Sequence, residues 1–221
     1  MSFSPKVRYL THAAVVLFAS VGLGLGISSS AKAAEKMTSN LQGPQKVSPT
    51  LERLQAAYND ESNVRVHYLA FAHRAKQEGY GRIASLFHAV ARAEEVHQRN
   101  HAQLIRQLGA TPRAKIEVPV VQSTRQNLVS SISGESSVQQ TLYTPLIEQG
   151  RQGKNVQAVR LFSLAQNSES QHEKLFQQAL NNPSLSNTTF YVCSSSGYVS
   201  PNPNAFSSGS CPASGILSER I

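Results

Sequence analysis

The sequence predicts an all-α protein built on a four-helix bundle, with a long crossover between the second and third helices and a small loop-rich segment after the fourth. Three observations carry this. Four stretches place apolar residues at helical spacing. Each apolar stripe is interrupted near its middle by a glutamate, which two of the stretches extend to Glu-x-x-His. The glutamates form two pairs of matching separation: Glu61 precedes Glu94 by 33 residues and Glu135 precedes Glu169 by 34, the signature of a duplicated helix pair.

The second stretch is the most informative. Steps of four and three through it give Ile83, Phe87, Val90, Glu94, His97, His101, Leu104 and Leu108, one face of a helix that ought to be buried. Its middle is polar, and buried carboxylates and imidazoles are costly unless charged or hydrogen-bonding partners meet them. A lone Glu-x-x-His occurs on many solvated helices. Here Phe162, Ala165, Glu169, His172 and Phe176 repeat it. Glu61 sits among Leu54, Ala57, Val64, Tyr68 and Phe71, and Glu135 among Leu128, Ile132, Leu142 and Leu146. Antiparallel helices of this length bring their midpoints level, so all four glutamates converge at one depth. The set Glu61, Glu94, His97, Glu135, Glu169 and His172 is then the ligand constellation of ferritin-like dimetal bundles. Four carboxylates offset much of the charge of two divalent cations, and neutral imidazoles complete the shells. Without metal, some of those carboxylates would have to take up protons.

The remaining elements follow in chain order. The first helix begins at Pro49 and Thr50 with Glu52 in its first turn. Gly79 separates helices one and two, and Gly109 ends the second. The proline-bearing link TPRAKIEVPVVQ then reaches Ser123 and is long enough to cross the bundle. Pro145 is expected to kink the third helix just beyond Tyr143. Gly150 and Gly153 are expected to break it from the fourth helix, which ends near Asn181-Asn182-Pro183. The bundle thus spans 49–182. Tyr68, seven residues after Glu61, and Tyr143, eight after Glu135, are candidate catalytic tyrosines, each able to hydrogen-bond and orient a ligand carboxylate. The alternative is a core aromatic with its hydroxyl satisfied elsewhere. His101 reads as a neighbour of the ligands or a helix-surface residue, and His67, His73 and His88 as structural.

The ends of the chain differ in character. Residues 1–33 form a secretory signal pattern: Lys6 and Arg8, an apolar run of 15 residues from Ala13 to Ile27, then Ala31-Lys32-Ala33. An uncleaved anchor is the less favoured reading of that run. Residues 34–48 read as a flexible leader. The chain carries +8 formal charge, and removing Lys6, Arg8 and Lys32 with the signal takes 21 basic residues to 18 against 13 acidic. The basic residues are scattered, with no cluster and no aromatic platform, so no nucleic-acid partner is expected. Beyond Pro183 the composition turns to Ser, Asn, Gly and Pro.

The run from Leu54 to Ala110, LQAAYNDESNVRVHYLAFAHRAKQEGYGRIASLFHAVARAEEVHQRNHAQLIRQLGA, resembles the first helix pair of rubrerythrins, and the likeness extends more weakly through Leu180. The resemblance gives the same six residues ligand positions. It implies a di-iron or di-manganese centre that reduces hydrogen peroxide to water with electrons from an unidentified donor, in a homodimer. With dioxygen the same centre would act as a ferroxidase. The alternative from another class is a non-catalytic exported bundle braced by metal. One departure concerns an extra glutamate of the family, three residues beyond the first glutamate of the third helix, where this chain has Val138.

The tail 183–221 holds YVCSSSGYV and SCPASG, which resemble the two knuckles of a rubredoxin-like module with the pattern C-x-x-C-G. Only Cys193 and Cys211 remain, with Ser196 and Ser214 at the other positions. No rubredoxin-type iron is expected, because a serine hydroxyl is a poor substitute for a thiolate. Because the knuckles of such a module face each other, the resemblance makes Cys193 and Cys211 a candidate disulfide in an exported protein. A disordered tail with two free thiols is the alternative.

Overall fold

A computed structural model describes residues 49–183, 188–206 and 210–211, together with the backbone of 218–220. The expected signal segment and leader lie outside these residues, as does Ser214. The helices are α1 (Pro49–Gln77), α2 (Gly81–Gln107), α3 (Thr124–Val138), α4 (Thr144–Gln152) and α5 (Val156–Asn181), with a π-helical turn at Gln139–Tyr143 joining α3 to α4. The third helix of the bundle is therefore α3, the π turn and α4 together. α1 packs along α2, and α3 along α5.

Alanine does much to set these contacts. Ala57, Ala72, Ala75, Ala89 and Ala93 are fully buried, combining the best helix propensity with side chains small enough for close helix approach. The core is layered. One apolar cluster contains Phe71, Phe87, Leu128 and Phe176, and the other contains Leu54, Ile105, Leu146 and Phe162. Phe87 and Phe176 have ring centroids 5.1 Å apart, and Tyr68 lies 5.3 Å from Phe176. Between the two layers lie the polar side chains of the middle turns. Leu108, placed on the buried face by its spacing, is instead half exposed at the end of that stripe.

The crossover lies over α1 in extended form and is fastened by three amide side chains spaced one turn apart. Gln55 donates to the Thr111 carbonyl (2.8 Å) and accepts from Arg113 N (3.1 Å). Asn59 accepts from Lys115 N (2.9 Å). Asn63 donates to the Lys115 carbonyl (3.0 Å) and accepts from Glu117 N (2.8 Å). A strand without a sheet thus finds partners for its backbone. Ser123 starts α3 with a capping box: its hydroxyl accepts from Gln126 N, and the Gln126 side chain accepts from Ser123 N.

Two expectations about the third helix need correction. The irregularity falls before Pro145, in the π turn, instead of beyond Tyr143. Pro145 has no N–H and its ring crowds the carbonyl four residues back, and widening that turn relieves both problems. The Gln139 carbonyl accepts from Thr144 N, from the Thr144 hydroxyl (2.9 Å) and from Gln166 Nε2 (3.0 Å). Gly150 does not break the helix; it lies within α4, where a Cβ would stand 2.9 Å from Val159 Cγ2. The break falls at Gly153–Asn155, and Asn155 caps α5 by accepting from Ala158 N (3.0 Å).

The tail folds back onto the bundle. Strands β1 (Tyr191–Cys193), β2 (Val199–Ser200) and β3 (Ser218–Arg220) form an antiparallel sheet in the order β2-β1-β3. Phe190, Val192 and Val199 join the apolar cluster around Phe87.

Candidate metal centre

All six candidate ligands converge between the apolar layers, and each is at most 3% exposed. They form two quartets, Glu61, Glu94, His97 and Glu169 on one side and Glu94, Glu135, Glu169 and His172 on the other. Within each quartet the donor atoms lie within 4.8 Å of one another. Glu94 and Glu169 belong to both. The pairing of Glu94 with His97 and of Glu169 with His172 is a direct result of helix geometry, since Glu-x-x-His on α2 and on α5 puts carboxylate and imidazole one turn apart on one face.

The imidazoles point their Nδ1 atoms inward. His97 Nδ1 lies 3.0 Å from Glu94 Oε2 and 2.9 Å from Glu169 Oε1. His172 Nδ1 lies 3.1 Å from Glu169 Oε2 and 3.5 Å from Glu94 Oε1. Their other nitrogens donate to backbone carbonyls of the tail: His97 Nε2 to Ser196 (2.8 Å) and His172 Nε2 to Gly197 (3.0 Å). A carbonyl can only accept, so each Nε2 carries a proton and each Nδ1 is the atom left for a cation.

The tyrosines cross the bundle. Tyr68 on α1 donates to Glu135 Oε1 (2.6 Å), while Tyr143, at the end of the π turn, donates to Glu61 Oε1 (2.7 Å). The extra residue of the π turn explains how Tyr143 faces the site, because in a regular helix a separation of eight residues from Glu135 would turn it about 80° away. His101 lies behind it, with Nε2 3.2 Å from the Tyr143 hydroxyl. Since that hydroxyl donates to Glu61, His101 Nε2–H is the donor to it. Burial, then the neighbouring His97, lower the His101 pKa to about 3, so the ring is neutral.

The electrostatics of the metal-free site divide the carboxyls. Burial, reinforced by Glu94 and Glu169, raises Glu61 well above the usual range, and burial with the same two carboxylates does so for Glu135. Burial opposes ionisation of Glu94 and Glu169 also, but the hydrogen bonds and charges of His97 and His172 prevail and hold both below the usual range. The imidazoles respond in kind. Burial works against their charge, yet contacts with Glu169 and Glu94 raise His97 well above its ordinary value and His172 to about 9. The shifts therefore favour charge on both imidazoles and on Glu94 and Glu169, and favour the protonated form of Glu61 and Glu135.

The donor set fits a pair of divalent cations. Glu94 Oε1 and Glu169 Oε1 are buried and accept no hydrogen bond, although Glu169 Oε1 stands within ion-pair distance of His97. Buried carboxylate oxygens left in this way are costly, and cations between them and the two Nδ1 atoms would satisfy both. The oxygen-rich set with one imidazole per side suits iron or manganese.

An antiparallel helical bundle with a long crossover and paired Glu-x-x-His motifs at its centre defines a ferritin-like carboxylate protein. The chain belongs to the rubrerythrin family, whose profile, Rubrerythrin, matches residues 52–181. It is 31% identical over 155 residues to nigerythrin of Nitratidesulfovibrio vulgaris, covering 69% of this chain and 77% of that one. It is 28% identical over 178 residues to rubrerythrin-2 of Clostridium acetobutylicum, covering 78% and 95%. The fold matches the fully reduced, all-ferrous structure of nigerythrin with a TM-score of 0.69 at 28% identity, over 78% of this chain and 86% of that one. A bacterioferritin of Desulfovibrio desulfuricans shares the fold alone, with a TM-score of 0.56 at 21% identity over 60% and 78%.

Sequence spacing brought the six acidic and imidazole side chains and both tyrosines into view. It missed the Ser196 and Gly197 carbonyls, since a backbone group has no residue signature. Gly197 itself, the glycine that follows the first knuckle in the sequence, was the one available hint; its φ is 78°.

Proposed function

We propose that the chain is a dimetal oxidoreductase of rubrerythrin type that reduces hydrogen peroxide to water. The observation that carries the reading is the pair of buried quartets sharing Glu94 and Glu169. Two redox-active ions held there would supply the two electrons that break the O–O bond. The residues do the rest. Glu94 and Glu169 lie between both positions, while Glu61 with His97 and Glu135 with His172 complete one side each. Tyr143 and Tyr68 fix the rotamers of Glu61 and Glu135 through hydrogen bonds of 2.7 and 2.6 Å. The line from His101 Nε2 through the Tyr143 hydroxyl to Glu61 Oε1 holds a proton beside the reacting oxygens. The apolar layers above and below exclude bulk water.

Val138 gives the reading its particular form. Its partly buried side chain packs against the cluster containing Tyr143 and Phe162, where the family carries a further glutamate, so we take the ligand set to stay fixed as the ions change charge. A tail whose two cysteines are joined offers no four-thiolate iron, and electrons come from a separate donor. Export is part of the proposal, supported by the N-terminal signal pattern and by a disulfide, which persists in oxidising compartments.

Anaerobic reduction of the metal-loaded protein, followed by rapid mixing with peroxide or with dioxygen, tests this. Faster oxidation by peroxide is expected. Oxidation of added ferrous ion by dioxygen, with peroxide leaving the reduced centre unchanged, would replace the proposal with iron handling. No redox change with either would leave a structural metal.

A further inference from the structure

The loop between β1 and β2 is docked on the bundle by four successive carbonyls. Arg99 Nη2 donates to Ser194 (2.8 Å), Asn100 Nδ2 to Ser195 (3.0 Å), His97 Nε2 to Ser196 (2.8 Å) and His172 Nε2 to Gly197 (3.0 Å). The loop is closed on itself by Gly197 N to the Cys193 carbonyl and Cys193 N to the Tyr198 carbonyl, both 2.9 Å. It also fits tightly. Gly197 has φ of 78°, and a Cβ there would overlap His97 Nε2 and stand 3.1 Å from the Ala93 carbonyl. A Cys193–Cys211 disulfide fastens the loop to the second knuckle. The Ser196 hydroxyl, donating to the Ser210 carbonyl (2.6 Å), adds a second tie beside it.

We infer that the Cys193–Cys211 bridge is the clasp of a backbone cap, in which Ser196 and Gly197 are positioning residues for the two ligating imidazoles, and that opening this clasp loosens the hold on the metal pair. The inference rests on the dimetal reading above. The clasp lies outside the bundle, so its opening leaves the helices and the four ligand glutamates in place. What changes is the aim of His97 and His172, because the carbonyls that orient their rings lose the covalent tie to residue 211. Both cysteines are buried, so an external dithiol would open the bridge by exchange when the loop opens locally: its two thiols become a disulfide, and Cys193 and Cys211 each gain one hydrogen. Loss of the partner that orients a metal-bound imidazole weakens metal binding by roughly tenfold to a hundredfold in other proteins.

The test uses the full chain loaded anaerobically with ferrous ion. Release of iron to a chelator is followed by absorbance, the disulfide by mass after alkylation, and helix content by circular dichroism. Wild type is compared with the double variant Cys193→Ser/Cys211→Ser and with Gly197→Ala, which keeps the disulfide but displaces the cap. Both variants are expected to release iron about tenfold faster or more, with helix content unchanged. If the cysteine variant loses helix, wild type reduced with a dithiol and then freed of it supplies the same comparison. Equal release from all forms would overturn the inference while leaving the dimetal reading intact. Fast release from the cysteine variant with wild-type behaviour in Gly197→Ala would overturn the role of the carbonyls, and the reverse result the role of the clasp. A wild-type chain that binds no iron would overturn the dimetal reading and this inference together.

Discussion

Tyr143 reaches across the bundle to Glu61, its hydroxyl 2.7 Å from Oε1, and Tyr68 makes the mirror-image contact with Glu135 at 2.6 Å. Each tyrosine therefore serves the glutamate of the other helix pair. Removing one hydroxyl should free its carboxylate without opening the bundle. Tyr143→Phe is expected to lower peroxide turnover by roughly tenfold to a hundredfold and the stability of the metal-free chain by about 1 kcal/mol. Stopped-flow kinetics and thermal denaturation, run on the same preparation, check both numbers.

The shared carboxylates predict an asymmetry in metal loss. Glu94→Ala or Glu169→Ala removes a ligand from both quartets, whereas Glu61→Ala or Glu135→Ala removes one from a single quartet. Elemental analysis should find both ions lost in the first two variants and about one ion kept in the others. Equal losses in all four would contradict the shared geometry.

Metal uptake should release protons. In the metal-free site burial beside other carboxylates favours protons on Glu61 and Glu135, and Glu169 and Glu94 favour the charged forms of His97 and His172. Binding of two ions displaces the protons that these four groups hold. An indicator dye in weak buffer near pH 7 should report protons released on metal addition, and metal affinity should fall as pH falls.

Stability of the metal-free chain should have the opposite dependence. His172 is raised from 6.5 to about 9 in the fold, so its contribution is complete below 6.5 and is lost as pH rises through 9. Glu61 and Glu135, also raised, act in the same direction from pH 4.5 upward. Glu94 and Glu169 are lowered, and their contribution is lost only as pH falls below 4.5. The melting temperature without metal should therefore decline between pH 6.5 and 9, while that of the metal-loaded protein declines on acidification.

These features were unequally legible in the sequence. Glu61, Glu94, His97, Glu135, Glu169 and His172 stood out because polar groups that interrupt apolar stripes at matched depths are costly to bury unless they meet one another or a cation. The face of Tyr68 could be read, but not its partner, since spacing along one helix says nothing about what lies opposite; Tyr143, eight residues from Glu135, comes to the site only through the π turn. The π turn escaped notice because Pro145 announces a disturbance without fixing its side. Gly150 looked like a helix breaker and proved to be a contact with Val159, a distinction that only the neighbouring helix makes.

The most direct measurement is anomalous X-ray scattering at the iron edge from crystals of the full chain loaded with ferrous ion. The account predicts two peaks per chain, each within bonding distance of Glu94 and Glu169, with His97 Nδ1 at one and His172 Nδ1 at the other. A single peak, or none between the four helices, would contradict it.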